Sequence, residues 1–130
     1  MKGLWKREGD KVYLCGTLGS EFDQEQRRLA AVSAADAYAK QMEGLKEVEQ
    51  LMDELETEAR KEVEGAEPRK GGARLRPRRS PGFGDMPFEM SREILEKLDA
   101  TKRLGVSLTD SLLLVPSKSV TAICEVEYDT

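Results

Sequence analysis

Residues 4–15, LWKREGDKVYLC, decide the fold class of this chain. Two short runs, Leu4-Trp5-Lys6-Arg7-Glu8 and Lys11-Val12-Tyr13-Leu14-Cys15, flank Gly9-Asp10, a pair suited to a two-residue type II′ turn. Such a turn sets the register of a β-hairpin. Trp5 then lies opposite Leu14 and Arg7 opposite Val12 on one face, with Leu4 opposite Cys15 on the other. The tryptophan is expected as a core anchor rather than a platform for stacking bases.

The opposite end of the chain carries a second β pattern. Residues 111–115 (SLLLV) lead into a turn at Pro116-Ser117-Lys118, and 120–128 follow as a strand. Val120, Ala122, Cys124, Val126 and Tyr128 alternate with Thr121, Glu125 and Glu127, with Ile123 as the exception. This predicts a half-buried antiparallel strand. If both hairpins share one sheet, Val12 and Leu14 belong to the same core as Val120, Ala122, Cys124 and Val126.

Between them lies a long helical segment, 20–64, without proline. Ser20 is placed to cap it, with Glu21 and Asp23 favourable near its N-terminus. Ala30, Ala31, Ala34, Ala35, Ala37 and Ala39 favour helix and allow close approach. Farther on, Tyr38, Leu45, Met52 and Ala59 recur every seven residues, with Val48 and Leu55 between them. Gln41 and Glu62 limit this seam to about two heptads. A continuous helix of ~44 residues would be roughly 65 Å long, more than the rest of so short a chain can cover. It therefore either breaks near Gly44 and packs on the sheet, or projects and meets a partner helix. The second reading is preferred, and it makes Tyr38, Leu45, Val48, Met52 and Leu55 the expected oligomer interface.

Residues 65–90 contain Gly65, Pro68, Gly71, Gly72, Pro77, Pro81, Gly82, Gly84 and Pro87, which predict a long loop without a regular element. Ser91 is expected to cap a short helix over 92–104, with Ile94, Leu95 and Leu98 on one side and Gly105 just past its end. The expected class is α+β, with an N-terminal and a C-terminal hairpin forming a small antiparallel sheet. One domain spans 1–130: hairpin 1–19, long helix 20–64, basic loop 65–90, short helix 91–105 and C-terminal hairpin 106–130.

Charge is segregated in a chain that is 35% charged with a net charge of −4. Residues 43–67 hold ten acidic and three basic side chains, whereas 69–79 hold six basic and none acidic. Arg69, Lys70, Arg74, Arg76, Arg78 and Arg79 therefore have two readings. They either lie against the acidic helix or a neighbouring subunit, or form an arm that neutralises nucleic-acid phosphates, with Phe83 and Phe88 as stacking groups. The acidic balance of the whole chain favours the first.

There is no His and no Asn. The commonest general base, the Ser/His and Cys/His nucleophile pairs and the commonest nitrogen ligand for metals are thus missing. Glu43, Glu47, Glu49, Asp53, Glu54, Glu56 and Glu58 spread around more than one helix face and read as a solvated surface, with no Glu-x-x-His to complete a di-metal site. Gly82-Phe83-Gly84 lacks the Lys-Ser/Thr of a phosphate-binding loop, and Pro116-Ser117-Lys118-Ser119 reads as a turn rather than a Ser/Lys dyad. No catalytic, cofactor or metal residue and no small-molecule substrate is expected. Cys15 and Cys124 are expected as small, reduced core residues.

No apolar run approaches the ~20 residues that cross a bilayer, and the basic start at 1–7 has no apolar stretch behind it. The expected place is the cytoplasm, or a virion if the protein is viral. Abundant Glu, Lys and Arg without Asn follow the thermophile trend, while five Met oppose it. The expected function is that of a non-catalytic structural or interaction protein, a subunit of a homo-oligomer or larger assembly joined through its long helix and basic loop. The alternative is a nucleic-acid-associated accessory protein acting through 69–79.

Overall fold

The computed structural model describes residues 2–66 and 72–128. Strands β1 (Lys2–Glu8) and β2 (Lys11–Thr17) form the N-terminal hairpin in the expected register, with Trp5 opposite Leu14, Arg7 opposite Val12 and Leu4 opposite Cys15. The first turn residue, Gly9, has a φ of 65°, as the first position of a type II′ turn requires. The chain then continues through helices α1 (Ser20–Val32) and α2 (Ala34–Ala66), strand β3 (Ala73–Leu75), and helices α3 (Met90–Leu98) and α4 (Ala100–Leu104). Strands β4 (Ser107–Leu108), β5 (Leu114–Val115) and β6 (Ser119–Tyr128) follow. The architecture is α+β: a four-stranded antiparallel sheet in the order β1-β2-β6-β3, a long helix, shorter helices and a second, two-stranded sheet of β4 and β5.

Both faces of the main sheet are covered. On one, Val12, Leu14, Ala122, Cys124 and Val126 pack against Met52, Leu55, Ala59 and Val63 of α2, with Trp5 and Val120 partly buried beside them. This is the shared core expected of the two β regions. On the other, Tyr13, Cys15 and Ile123 meet Ile94, Leu95, Leu98, Ala100 and Val106. Strand β6 is therefore not half-buried as its alternation predicts. Ile123, the exception to that alternation, is its contribution to the second core.

Several expected boundaries are corrected. The long helix breaks at Ser33, not near Gly44. Ser33 has an extended backbone, φ −152° and ψ 113°. Its amide donates to the Leu29 carbonyl at 2.8 Å, closing α1, while its carbonyl accepts from the Ala37 amide at 3.0 Å. Its Oγ accepts from the Asp36 amide at 3.2 Å, so one residue both ends α1 and caps α2. Ser20 does not cap α1: Gly19 holds the cap position, with no side-chain bond.

Ser91 likewise lies inside α3, buried, with its hydroxyl 3.1 Å from that of Thr121. The expected single helix of 92–104 is split at Asp99, whose φ of 52° is left-handed, and Gly105 ends the second piece with a φ of 73°. Residues 65–90 are not devoid of regular structure. β3 pairs with the end of β6, Leu75 opposite Val126, and Arg79 bridges to Ile123. β6 is long enough to offer those extra residues a ladder. Finally, the strand partner of Leu114–Val115 is Ser107–Leu108 rather than the last strand.

Candidate interaction surface

Helix α2 has 33 residues and is about 50 Å long. From Met52 onward its apolar stripe seats on the sheet. Val48, Met52 and Leu55, expected to contact a second subunit, are buried inside this chain. The correction has a simple cause: an apolar stripe at helical spacing is the same pattern whether it faces another helix or the chain's own sheet. Tyr38 and Leu45, by contrast, are on the surface.

Before Val48, the buried residues of α2 are Ala37 and Gly44, and both face α1. The shorter helix folds back antiparallel: Phe22 packs on Gly44, and Gln26 Nε2 donates to the Ala37 carbonyl at 2.8 Å. The result is a two-helix arm with its turn at Ser33. The tip is apolar and exposed. Val32 is 80% and Tyr38 69% exposed, and residues 29–39 contain one charge, Asp36. Tyr38, Met42 and Leu45 follow at i, i+4 and i+7, one helix face, and all three are exposed.

This strip leads into an open groove of about 490 Å³ at the base of the arm. Leu45 forms one wall, Phe83 and Phe88 another and Leu113 a third. Phe88 is placed by Gly82: the φ there is 92°, and a Cβ would fall 2.3 Å from Phe88 Cε1. Leu113 is held outward by its neighbour Leu112, whose φ of 66° is left-handed. Thr109 fixes this turn, its carbonyl accepting from the Leu112 amide at 2.9 Å and its Oγ1 from the Leu113 amide at 3.1 Å. A non-glycine residue in that conformation stores strain, of order 1–3 kcal/mol, and such strain gathers at functional surfaces. Ser91, Ser119 and Thr121 also line it, all three buried and with their hydroxyls already paired, Ser91 with Thr121 at 3.1 Å and Ser119 with Thr17 at 2.7 Å.

The basic run sits beside it. Arg78 donates to Asp53 Oδ1 at 2.8 Å, Glu56 Oε1 at 2.9 Å and Glu49 Oε2 at 2.9 Å, three carboxylates of α2. Desolvation opposes its charge, but the hydrogen bonds to Asp53, Glu56 and Glu49 outweigh it and raise its pKa above the ordinary arginine value. Arg76 pairs with Glu127 at 3.5 Å, and Arg79 with Asp85 at 3.3 Å and Glu125 at 3.8 Å. Arg74 stands opposite Glu127 in the β3–β6 register. Arg69 and Lys70 lie outside the described residues. Phe83 and Phe88, considered as base-stacking groups, are exposed and line the groove.

Among the described residues no cluster of His, Cys, Asp and Glu could hold a metal ion, and no helix is long and apolar enough to cross a membrane. No protein-family model matches the chain, and a search of the curated proteins found no significant match. Two parts of this surface had signals that went unread. Ser33-Ala34-Ala35-Asp36 has the spacing of a helix N-terminal capping box, masked by the alanines around it. Leu112-Leu113 read as strand, and only its tertiary position makes it a groove wall.

Proposed function

We propose that the protein is a non-catalytic assembly subunit that associates with its own copies through the two-helix arm. The observation that carries this reading is the exposed, nearly uncharged tip at 29–39 on a chain that is 35% charged. A soluble surface seldom keeps a contiguous apolar patch without a partner for it. The contact between α1 and α2 rests on Phe22, Ala37 and Gly44, so Val32 and Tyr38 gain burial only from a second molecule. Two such hairpins side by side make a four-helix arrangement, a common solution for amphipathic helix pairs. The basic run, first considered part of the joint, is mostly engaged within the chain. The commitment of Arg78 to three carboxylates also weighs against the phosphate-binding alternative.

Light scattering across a concentration series tests the reading. The wild type is expected to rise above the 14.5 kDa of one chain, and Ala35→Arg, a charge placed on the exposed strip, to remain at that mass with an unchanged melting curve. A wild type that stays at the single-chain mass throughout ends the proposal.

A further inference from the structure

We infer that strand β1 pairs antiparallel with β1 of a second copy of this chain, about a two-fold axis at Trp5, and so links arm-paired copies into a larger assembly. The inference rests on the association through the arm proposed above and adds a second contact to it. The sheet order β1-β2-β6-β3 leaves β1 and β3 at the edges, and the two edges are finished differently. At β3 the Leu75 amide donates to Glu64 Oε2 at 3.0 Å and its carbonyl accepts from Arg60 Nη2 at 3.2 Å, so side chains of α2 take the place of a further strand.

At β1, Glu8 and Lys11 flank the two-residue turn and form its hydrogen-bonded pair. Lys6, Leu4 and Lys2 therefore bond to β2, while the backbone groups of Gly3, Trp5 and Arg7 point out from the edge. Among the described residues nothing satisfies the outward amides and carbonyls of Gly3 and Trp5. Gly3 has no side chain and is still partly exposed, so its backbone reaches solvent. β1 has seven residues and pairs with β2 without a bulge. It is a regular template for one more strand.

Charge complementarity selects a second β1 as that strand. Lys2, Lys6 and Glu8 are exposed. With Trp5 opposite Trp5 of the other copy, the strands overlap over their whole length and Lys2 of each copy lies opposite Glu8 of the other. Gly3 of each copy then exchanges backbone bonds with Arg7 of the other, outward group to outward group. Sliding to either neighbouring register sets Lys2 against Lys6, or Lys6 against itself, and like charges directly opposite are unfavourable. Charges that guard an edge against other strands thus admit this one in a single register. Lys97 holds Glu8 at Oε1, 2.6 Å away, and a carboxylate has acceptor sites for a second cation. One strand pair is smaller than the ~1,200 Å² at the lower end of specific interfaces. It is therefore weak between single chains, and gains strength between arm-paired copies, which present two edges together.

Exchanging the charges tests the register by light scattering over a concentration series. The wild type is expected to pass twice the 14.5 kDa of one chain. Lys2→Glu and Glu8→Lys each create two like-charge pairs, and each alone should need about tenfold more protein to pass that mass. The double variant carries the same charges in exchanged places and should recover the wild-type assembly. Both positions are exposed, and melting curves check that all three variants fold. If the wild type stops at twice the single-chain mass, or the single variants assemble as it does, or the double variant fails to recover, β1 does not pair with itself although the arm still associates. A wild type of single-chain mass removes both this inference and the association beneath it.

Discussion

A Cβ at Gly44 would lie 2.4 Å from Cε2 and 2.5 Å from Cζ of Phe22, too close for any real side chain. This contact, together with the Gln26 bond to Ala37, is what folds α1 back on α2. The Phe22 ring is held from other directions too: the ammonium groups of Lys40 and Lys118 each lie 5.7 Å from its centroid, a cation–π distance. Its neighbour Asp23 accepts hydrogen bonds from the amide and hydroxyl of Ser117. Alanine is intrinsically the better helix former by about 1 kcal/mol, but a methyl forced into a packed ring costs about 1–3 kcal/mol. Gly44→Ala is therefore expected to loosen the arm selectively. In hydrogen exchange the amides of α1 should lose protection while those of β2 and β6 keep theirs. Unchanged protection in α1, or a more stable protein, would show that the ring contact does not hold the arm.

At the scale of elements, the stretch from β3 to Arg79 is clamped between β6 and α2. Its inner side joins β6, the Arg76 amide donating to the Glu125 carbonyl at 2.8 Å. Its outer side is met by side chains of α2. Glu64 Oε2 accepts from the Leu75 amide at 3.0 Å, and Arg60 Nη2 donates to the Leu75 carbonyl at 3.2 Å. Backbone groups at a sheet edge are thereby satisfied without another strand. Arg78 completes the clamp. Its side chain is 18% and that of Glu56 14% exposed, so losing the arginine removes one of the two partners of a largely buried carboxylate, leaving Arg60 at 3.0 Å on its other oxygen. Arg78→Gln should lower stability by about 1–3 kcal/mol, and the loss should persist at high salt because shielded pairs are weakly screened. Arg76→Gln, at a surface pair, should lower it by about 0–1 kcal/mol. Urea unfolding of both variants at two salt concentrations provides the comparison; equal, small, salt-sensitive losses would mean that no clamp exists at Arg78.

For the molecule as a whole, the decisive property is a sheet with two covered faces. It separates the cysteines: Cys124 belongs to the core under α2 and Cys15 to the core under α3 and α4. Both are free and buried. Burial pushes each thiol up to about 12, with the charge of Glu56 adding to the effect at Cys124 against Arg60 and Arg78. An ordinary thiol titrates near 9.0. Between about 9 and about 12, the unfolded chain releases thiol protons that the folded chain keeps. Their contribution to stability is complete below that window and is lost as pH rises through it. The urea midpoint should therefore fall with rising pH in the wild type, and less steeply in the Cys15→Ala, Cys124→Ala double variant. Parallel declines in the two proteins would rule the thiols out as the cause.

The α+β class and the hairpin register were legible in the residues because their causes are local. Gly9-Asp10 fixes which side chains of β1 and β2 face each other, and the alternation of Val120, Ala122, Cys124 and Val126 marks one face of β6. The helix break was also local, but Gly44 competed with Ser33 for it. Sequence shows a glycine as a place where a helix could end, whereas here it is a place where Phe22 comes close. What faces the stripe of Val48, Met52 and Leu55 was decided only by the tertiary structure, since helical periodicity records that a face is buried and not against what. The same holds for β3, whose three residues are a strand because β6 supplies their ladder, and for the second face of the sheet, which explains Ile123. The groove is the extreme case. Leu45, Phe83, Phe88 and Leu113 come from three separate segments, and no spacing along the chain encodes a convergence that arises only when α2, the turn before α3 and the β4–β5 hairpin pack around β6.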